Sequence, residues 1–329
     1  MANLTTRFFG LELKSPVIAA SSSMTGNLEQ IKKIAKAGAG AVVLKSIFEE
    51  EIYHQLQEEL SLRSEMHSDP EYLDYFDYVI KDETLKKYVQ LVAAAKKTVD
   101  IPVIASINCI SSGDWTLFAK KLEDAGADAL ELNLFVMPSD AGKSSECNEQ
   151  FYFQTIKKVK EKVNIPVAIK ISHYFSNLAR ISGELSETGI AGISLFNRFI
   201  TPDIDIDTQK VVSTNVLSQA NEYLLPLRWT GILSGQVKCD LAATTGIHSA
   251  ETAIKFLLAG ASAVQVASVL YTEGVEAITT MNKGIAEWMD KNNYQKIDDF
   301  KGSLSMANAG NAGAFERVQF MKYFGGKEF

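Results

Sequence analysis

Six polar residues each stand at or near the end of an apolar run: Lys45, Asn108, Asn133, Lys170, Asn197 and Ser268. A lysine closing a buried strand must reach solvent or find a partner, because an unpaired buried charge is very costly. For Lys45 and Lys170 the readings are a salt bridge to Glu49 or Glu131, contact with an anionic or electron-rich ligand, or a Schiff-base nucleophile. An asparagine amide both donates and accepts, so Asn108, Asn133 and Asn197 together with two lysines suit a planar ring carrying carbonyls. A different chemistry is offered by TTGIHSAE (244–251) and ASVLYTEG (267–274). Gly246 lets backbone N–H groups approach a ligand, and Ser249 is placed to cap a helix whose N-terminus would favour an anion such as phosphate. A capped turn with no ligand is the alternative.

These residues are positioned by a repeated unit. Helix, small-Gly-small junction and buried strand recur in AGAGAVVLK (37–45), AGADALELN (125–133), TGIAGISLFN (188–197) and AGASAVQVAS (259–268). Two further strands arrive through proline, in DIPVIASIN (100–108) and NIPVAIKI (164–171). Strands buried on both faces and spaced by helices imply a parallel sheet. With VIAASS (17–22) first and LAATTG (241–246) seventh, the chain reads as eight strands alternating with eight helices. No GxGxxG turn follows the first strand, so a (β/α)8 TIM barrel is favoured over a doubly wound sheet. Predicted helices include 27–38, 85–98, 115–126, 151–163, 176–189, 249–260 and 275–293, with another around LPLRWTGILSGQVK. Insertions fall after strands two and six, at 47–84 and 198–222, and the first of these is read as a cover for the site. The Gly/Ala/Asn-rich tail is expected to lie over the barrel, leaving residues 1–329 as one domain.

Composition narrows the function. The 329 residues are 46% hydrophobic and 22% charged, as in ordinary globular proteins. A formal net charge of −7 with no basic stripe argues against nucleic acid and fits a small-molecule substrate. Cys109, Cys147 and Cys239 are too sparse for a metal or cluster site and read as free thiols in a reducing compartment. The opening MANLTTRFFGLELKSP does not look like a signal peptide, and no stretch reaches membrane-span length, so a cytoplasmic location without membrane association is expected.

In sum, LTTRFFGLELKSPVIAAS, VVLKS, ELNL, VAIKIS and TTGIHSAETAIKFLLAGASAVQVAS, in that order, resemble the dihydroorotate dehydrogenase family, class 1 and soluble. The resemblance covers nearly the whole chain and is weakest at 47–84 and 198–222. It implies an N-terminal hairpin, bound FMN, a homodimer and a place in pyrimidine biosynthesis. By position it implies that Ala20 and Ser21 line the flavin, that Lys45 lies near the ring and ribityl chain, and that Asn108 and Asn133 face ring or substrate. Lys170 would sit at the N1/O2 side with Asn197 beside it, and Thr245, Gly246, Ala267 and Ser268 would hold the phosphate.

One departure bears on function. Class 1 members carry a cysteine base three residues after the strand-four asparagine, in a pattern like NLSCPN. This chain has NLFVMPSD, which puts Val136 at that offset and Ser139 where an asparagine follows the proline. The family's substrate-binding asparagine motif is not recognisable in RSEMHSDPEYLDYF either. Ser139, Ser145 and Cys147 lie nearby at wrong offsets, and His173 and Tyr174 follow Lys170 at the rim. The catalytic base is therefore unassigned. The expectation is an FMN-dependent oxidoreductase moving hydride between a small, pyrimidine-like substrate and flavin N5, with an altered or unknown substrate. The alternatives are dihydroorotate oxidation with another base, a non-catalytic flavin or metabolite binder, and a flavin-free aldolase using Lys45 or Lys170.

Overall fold

The computed structural model describes residues 2–48, 70–108, 114–198, 200–310 and 312–316. Eight parallel strands close into a barrel: β3 (Val17–Ala19), β4 (Ala41–Val43), β6 (Val103–Asn108), β7 (Ala129–Asn133), β8 (Val167–Ile171), β9 (Gly192–Leu195), β12 (Asp240–Thr244) and β13 (Ala263–Val266). Closure comes from β13 pairing with β3 and β4 pairing with β6. A two-residue strand, β5 (Ile47–Phe48), adds to the edge of β6. Odd and even residues of each strand divide cleanly. Val103, Leu130, Ile169 and Ile193 face the helices, whereas Ile104, Ala129, Ala168 and Ala242 fill the lower barrel.

The bottom is plugged by the expected N-terminal hairpin, β1 (Thr6–Phe8) and β2 (Leu11–Leu13). Its turn residues, Phe9 and Gly10, both have positive φ (53° and 74°), the geometry of a tight two-residue hairpin. Phe8 and Phe9 stack at 3.6 Å and are fully buried. The Phe9 N–H donates to Asp240 at 2.8 Å, which fixes the hairpin to the start of β12.

The surrounding helices are α1 (Leu28–Lys36), α2 (Pro70–Thr98), α3 (Asp114–Asp124), α4 (Ser145–Lys160), α5 (Leu178–Glu187), α6 (Leu224–Leu233), α7 (Ala250–Ala259) and α9 (Glu276–Lys291), with the one-turn α8 (Ser268–Thr272) between the last two. Asn27 caps α1 by accepting from the Gln30 N–H, and Ser249 caps α7 by accepting from the Thr252 N–H, as expected.

Two helices are longer than their sequence patterns suggested. α2 begins at Pro70, where a missing N–H is tolerated, so EYLDYFDYV (71–79) belongs to the helix rather than to a loop before it. α4 begins at Ser145 because the Ser144 hydroxyl accepts the Cys147 N–H at 3.3 Å. The second insertion forms a hairpin, β10 (Pro202–Asp205) and β11 (Lys210–Ser213), exposed along almost its whole length. The tail packs over α6 and α7: the Leu304 N–H donates to Leu258, the Met306 N–H to Gly231, and Phe315 lies against Gly231. A short α10 (Gly313–Glu316) ends the described chain. Glu49, Cys109 and most of the first insertion lie outside the described residues.

Candidate functional site

The strands deliver their last residues to one rim, where a cleft of about 530 Å³ opens. Of the eleven rim residues singled out from sequence, Ala20, Ser21, Lys170, Asn197, Thr245, Gly246, Ala267 and Ser268 line it. The other three do not. Asn133 is buried just beneath, accepting the Asn197 amide N–H at 2.6 Å, so it holds Asn197 in place. Lys45 borders a neighbouring cavity of about 490 Å³ between α1 and α2. Asn108 is half-buried at the end of β6.

Under the cleft the barrel interior turns polar. Lys170 donates to the Gln265 side-chain oxygen at 3.2 Å and lies 3.8 Å from the Glu131 carboxylate. The Gln265 amide donates in turn to Glu131 at 2.6 Å and to Ser194 at 3.1 Å, and Ser194 donates to Glu131 at 2.8 Å. Glu131 is fully buried, and its Oε1 accepts no hydrogen bond. Glu131, one of the two carboxylates considered for Lys170, stands beside it. The network links β7, β8, β9 and β13, so the lysine's position is set by four strands at once.

A second polar line runs through hydroxyls. Ser21 and Ser46 lie 3.0 Å apart, and Ser46 and Ser106 lie 2.6 Å apart. The Tyr88 hydroxyl, carried in by α2, donates to the Ser106 carbonyl and accepts its N–H. Burial drives the Tyr88 phenol well above its ordinary range, so it stays protonated.

At the opposite end of the cleft, Gly246 has φ +71°, and a Cβ there would fall 2.4 Å from the Tyr223 nitrogen. No side chain is tolerated at this position. Thr245 also has positive φ, 79°. Ser218, from the second insertion, accepts the Gly246 N–H at 3.3 Å and donates to the Ser268 hydroxyl at 2.9 Å. Arg198, next to Asn197, ties the same insertion down through Glu222 at 2.8 Å and the carbonyls of Asn215 and Val216. Burial works against ionisation of Glu222, yet the Arg198 guanidinium holds its carboxyl below the usual range.

The segment after β7 carries no replacement base at the expected offset. Val136 is half-buried, and its N–H donates to the Tyr152 hydroxyl at 3.1 Å. Ser139 and Cys147 are exposed, and neither lines the cleft. Ser145, His173 and Tyr174 line a separate groove with Val136 and Tyr152. His173 packs edge-on to Phe196, a cleft residue, at 5.7 Å, and burial lowers its pKa so that it is neutral at neutral pH.

Sequence reading missed Gln265, Ser218, Arg198 and the Ser46–Ser106 pair. Gln265 carried a usable signal, being a polar residue facing inward in an apolar strand one step before the rim. The others depend on contacts between distant segments.

The sequence profile described as dihydroorotate dehydrogenase matches residues 76–289. The chain is 26% identical over 315 residues to a dihydroorotate dehydrogenase B (NAD(+)), catalytic subunit, of Thermoplasma volcanium, covering 92% of this chain and 98% of that one. It is 26% identical over 310 residues to the protein of the same description from Methanothermobacter thermautotrophicus, with 91% and 97% covered. For that of Methanocaldococcus jannaschii the identity is 27% over 304 residues, with 88% and 94% covered. Barrel, rim cleft and profile coincide, and the chain belongs to the dihydroorotate dehydrogenase family, oxidoreductases acting on CH–CH bonds.

Proposed function

We propose that the protein is an FMN-dependent oxidoreductase whose substrate is a small, pyrimidine-like ring, diverged from dihydroorotate. The observation that carries this reading is the composition of the rim cleft. One end holds a cation, Lys170, with Asn197 beside it. The other offers a glycine turn and the hydroxyls of Thr245, Ser218 and Ser268. That donor set fits a planar heterocycle with carbonyls at one end and a phosphate at the other. A volume of about 530 Å³ is within the range of cofactor pockets.

In this reading Ala20 and Ser21 would back the ring, Lys170 and Asn197 would hold its carbonyl edge, and Thr245, Gly246, Ala267 and Ser268 would hold the phosphate. Asn133 would act on the ring through Asn197, whereas Lys45 and Asn108, which do not line the cleft, carry no part in this reading. Bound FMN would accept hydride at N5, supplying the redox chemistry that no side chain here has. The protein's own part is electrostatic and positional. The Lys170 charge, fixed by Gln265 and Glu131, favours negative charge at the ring's carbonyl edge. The Glu131 network lies wholly within the barrel, so the residues that fix Lys170 are themselves buried.

Dihydroorotate itself is a weaker candidate for the substrate. Proton removal from carbon needs a base within hydrogen-bond reach, and Val136 offers none. A binder without turnover is the second reading, favoured by that same residue. A homodimer and a small-molecule substrate, without nucleic acid or membrane, complete the proposal; no described helix is long and apolar enough to cross a membrane.

The test is the visible spectrum of purified protein after incubation with FMN, then anaerobic addition of dihydroorotate and related dihydropyrimidines. Bound flavin bleached by a dihydropyrimidine other than dihydroorotate is the expected result. Protein that takes up no flavin removes the reading. Flavin that binds but is bleached by none of these compounds selects the non-catalytic alternative.

A further inference from the structure

A carboxylate sits beneath the cleft with one of its oxygens unused. Glu131 faces inward from β7, between the outward Leu130 and Leu132, and is fully buried. Its Oε2 accepts the Gln265 amide N–H at 2.6 Å and the Ser194 hydroxyl at 2.8 Å, whereas Oε1 accepts nothing from the described residues. Oε1 lies 3.8 Å from Lys170 Nζ, too far for a hydrogen bond. Gln265 joins the two charges, since its amide N–H donates to Glu131 and its oxygen accepts from Lys170 at 3.2 Å. An amide held in this way is polarised, and it carries the carboxylate's influence onto the ammonium.

Few other charges compete. Among the described residues that line the cleft there is no aspartate or glutamate, and the cations are Lys170 and Arg198. Arg198 is held by Glu222 at 2.8 Å. A ligand in the cleft therefore meets one cation, Lys170, with a carboxylate directly behind it. Buried charges act over several ångströms because little solvent screens them. Hydride delivered to flavin N5 carries two electrons and one proton, so it leaves the ring with one added negative charge. Lys170 favours that charge and Glu131 opposes it.

Resting on the flavin reading above, we propose that Glu131 is a positioning residue that sets the potential of the bound cofactor by tempering the charge of Lys170. It does not itself line the cleft and acts through Lys170 and Gln265, which do. Because Lys170 stands between Glu131 and the cleft, the lysine outweighs the carboxylate, and the flavin is easier to reduce than it would be beside no charge. Glu131 narrows that margin. The outcome is a cofactor able to give up hydride as well as to take it.

The experiment is redox titration of FMN-loaded protein against dyes of known potential, paired with sulfite titration of the oxidised form. Sulfite forms an N5–S bond and puts the same negative charge on the ring without electron transfer. Wild type is compared with Glu131→Gln, Glu131→Asp and Ser194→Ala. Glu131→Gln keeps the shape and removes the charge, so it should bind sulfite about tenfold more tightly and raise the two-electron midpoint potential by the equivalent, about 30 mV. Glu131→Asp, which withdraws the charge by one methylene, should shift both in the same direction by less, and it carries the test if Glu131→Gln does not fold. Ser194→Ala loosens Glu131 without removing charge and should leave both near wild type. Sulfite binding and potential that stay unchanged or fall in the Glu131 variants overturn the proposal. A shift in Ser194→Ala as large as that in Glu131→Gln also overturns it, by showing that loosening of the network, and not charge, is at work. Wild type that takes up no FMN removes the functional reading itself, a result distinct from both.

Discussion

Lys170 and Glu131 show how one pair can serve stability and chemistry together. The lysine side chain is 10% exposed and the carboxylate not at all, at 3.8 Å. Removing one partner of a buried pair strands the other charge, at roughly 3–5 kcal/mol, whereas removing both often costs little. Lys170→Met should therefore lose about 3 kcal/mol in urea unfolding, and Lys170→Met/Glu131→Gln should regain most of it. If Lys170 also favours charge at the flavin's carbonyl edge, the regained stability will not restore the cofactor's potential. The midpoint potential of bound FMN in the double variant should lie below that of wild type. An unchanged potential would reduce Lys170 to a structural residue. Cysteine behaviour is a second matter at this scale. Burial, with Asp240 adding to it, pushes the Cys239 thiol up to about 12, while Cys147 is exposed. Because the thiolate is the reactive form, iodoacetamide at pH about 8 should label the Cys147 peptide in native protein and the Cys239 peptide only after unfolding. Native labelling of half-buried Cys239 as rapid as that of Cys147 would contradict the raised thiol.

Among the elements, the N-terminal hairpin is the piece whose packing is least forgiving. Phe9 enters the barrel floor so closely that a Cβ on Gly192 would sit 2.2 Å from its ring. Gly192→Ala should cost about 1–3 kcal/mol by overpacking, and Phe9→Ala about 3–5 kcal/mol by leaving a cavity. Combining the two should cost less than their sum, because each relieves what the other disturbs. Strict additivity in thermal unfolding would show that the contact is not felt. The same elements explain what could be read from sequence. Small-Gly-small junctions and apolar strands encode neighbours in the chain, so all eight barrel strands and the rim positions Lys170, Asn197, Gly246 and Ser268 were legible from them. The starts of α2 and α4 were not, since one rests on Pro70 and the other on a single Ser144 cap, outside any apolar repeat. Ser218 was invisible for a stronger reason. Its role comes from reaching Ser268, fifty positions away, and local periodicity carries no trace of that.

Taken whole, the molecule places its cleft where β3, β8, β9, β12 and β13 meet, together with the insertion after β9. A ligand filling that cleft bridges segments from Ala20 to Ser268, nearly the length of the barrel in sequence. Such a ligand binds only the folded chain, because no short peptide carries more than a few of its contacts. Binding confined to the folded state stabilises it by about 2.7 kcal/mol at a free concentration one hundred times Kd. Saturating FMN should therefore raise the midpoint of thermal unfolding by several degrees, and the rise should grow with the logarithm of FMN concentration. Riboflavin should give a smaller rise, because it cannot use the Gly246–Ser268 corner. Dihydroorotate alone should give none, since the cleft's donor set is matched in this reading to a flavin and its phosphate. A shift with dihydroorotate but none with FMN would reverse the assignment of the cleft, making it a substrate site that needs no flavin. The Schiff-base reading of Lys170 would then return, and borohydride trapping of a carbonyl substrate on that lysine would be the measurement to make.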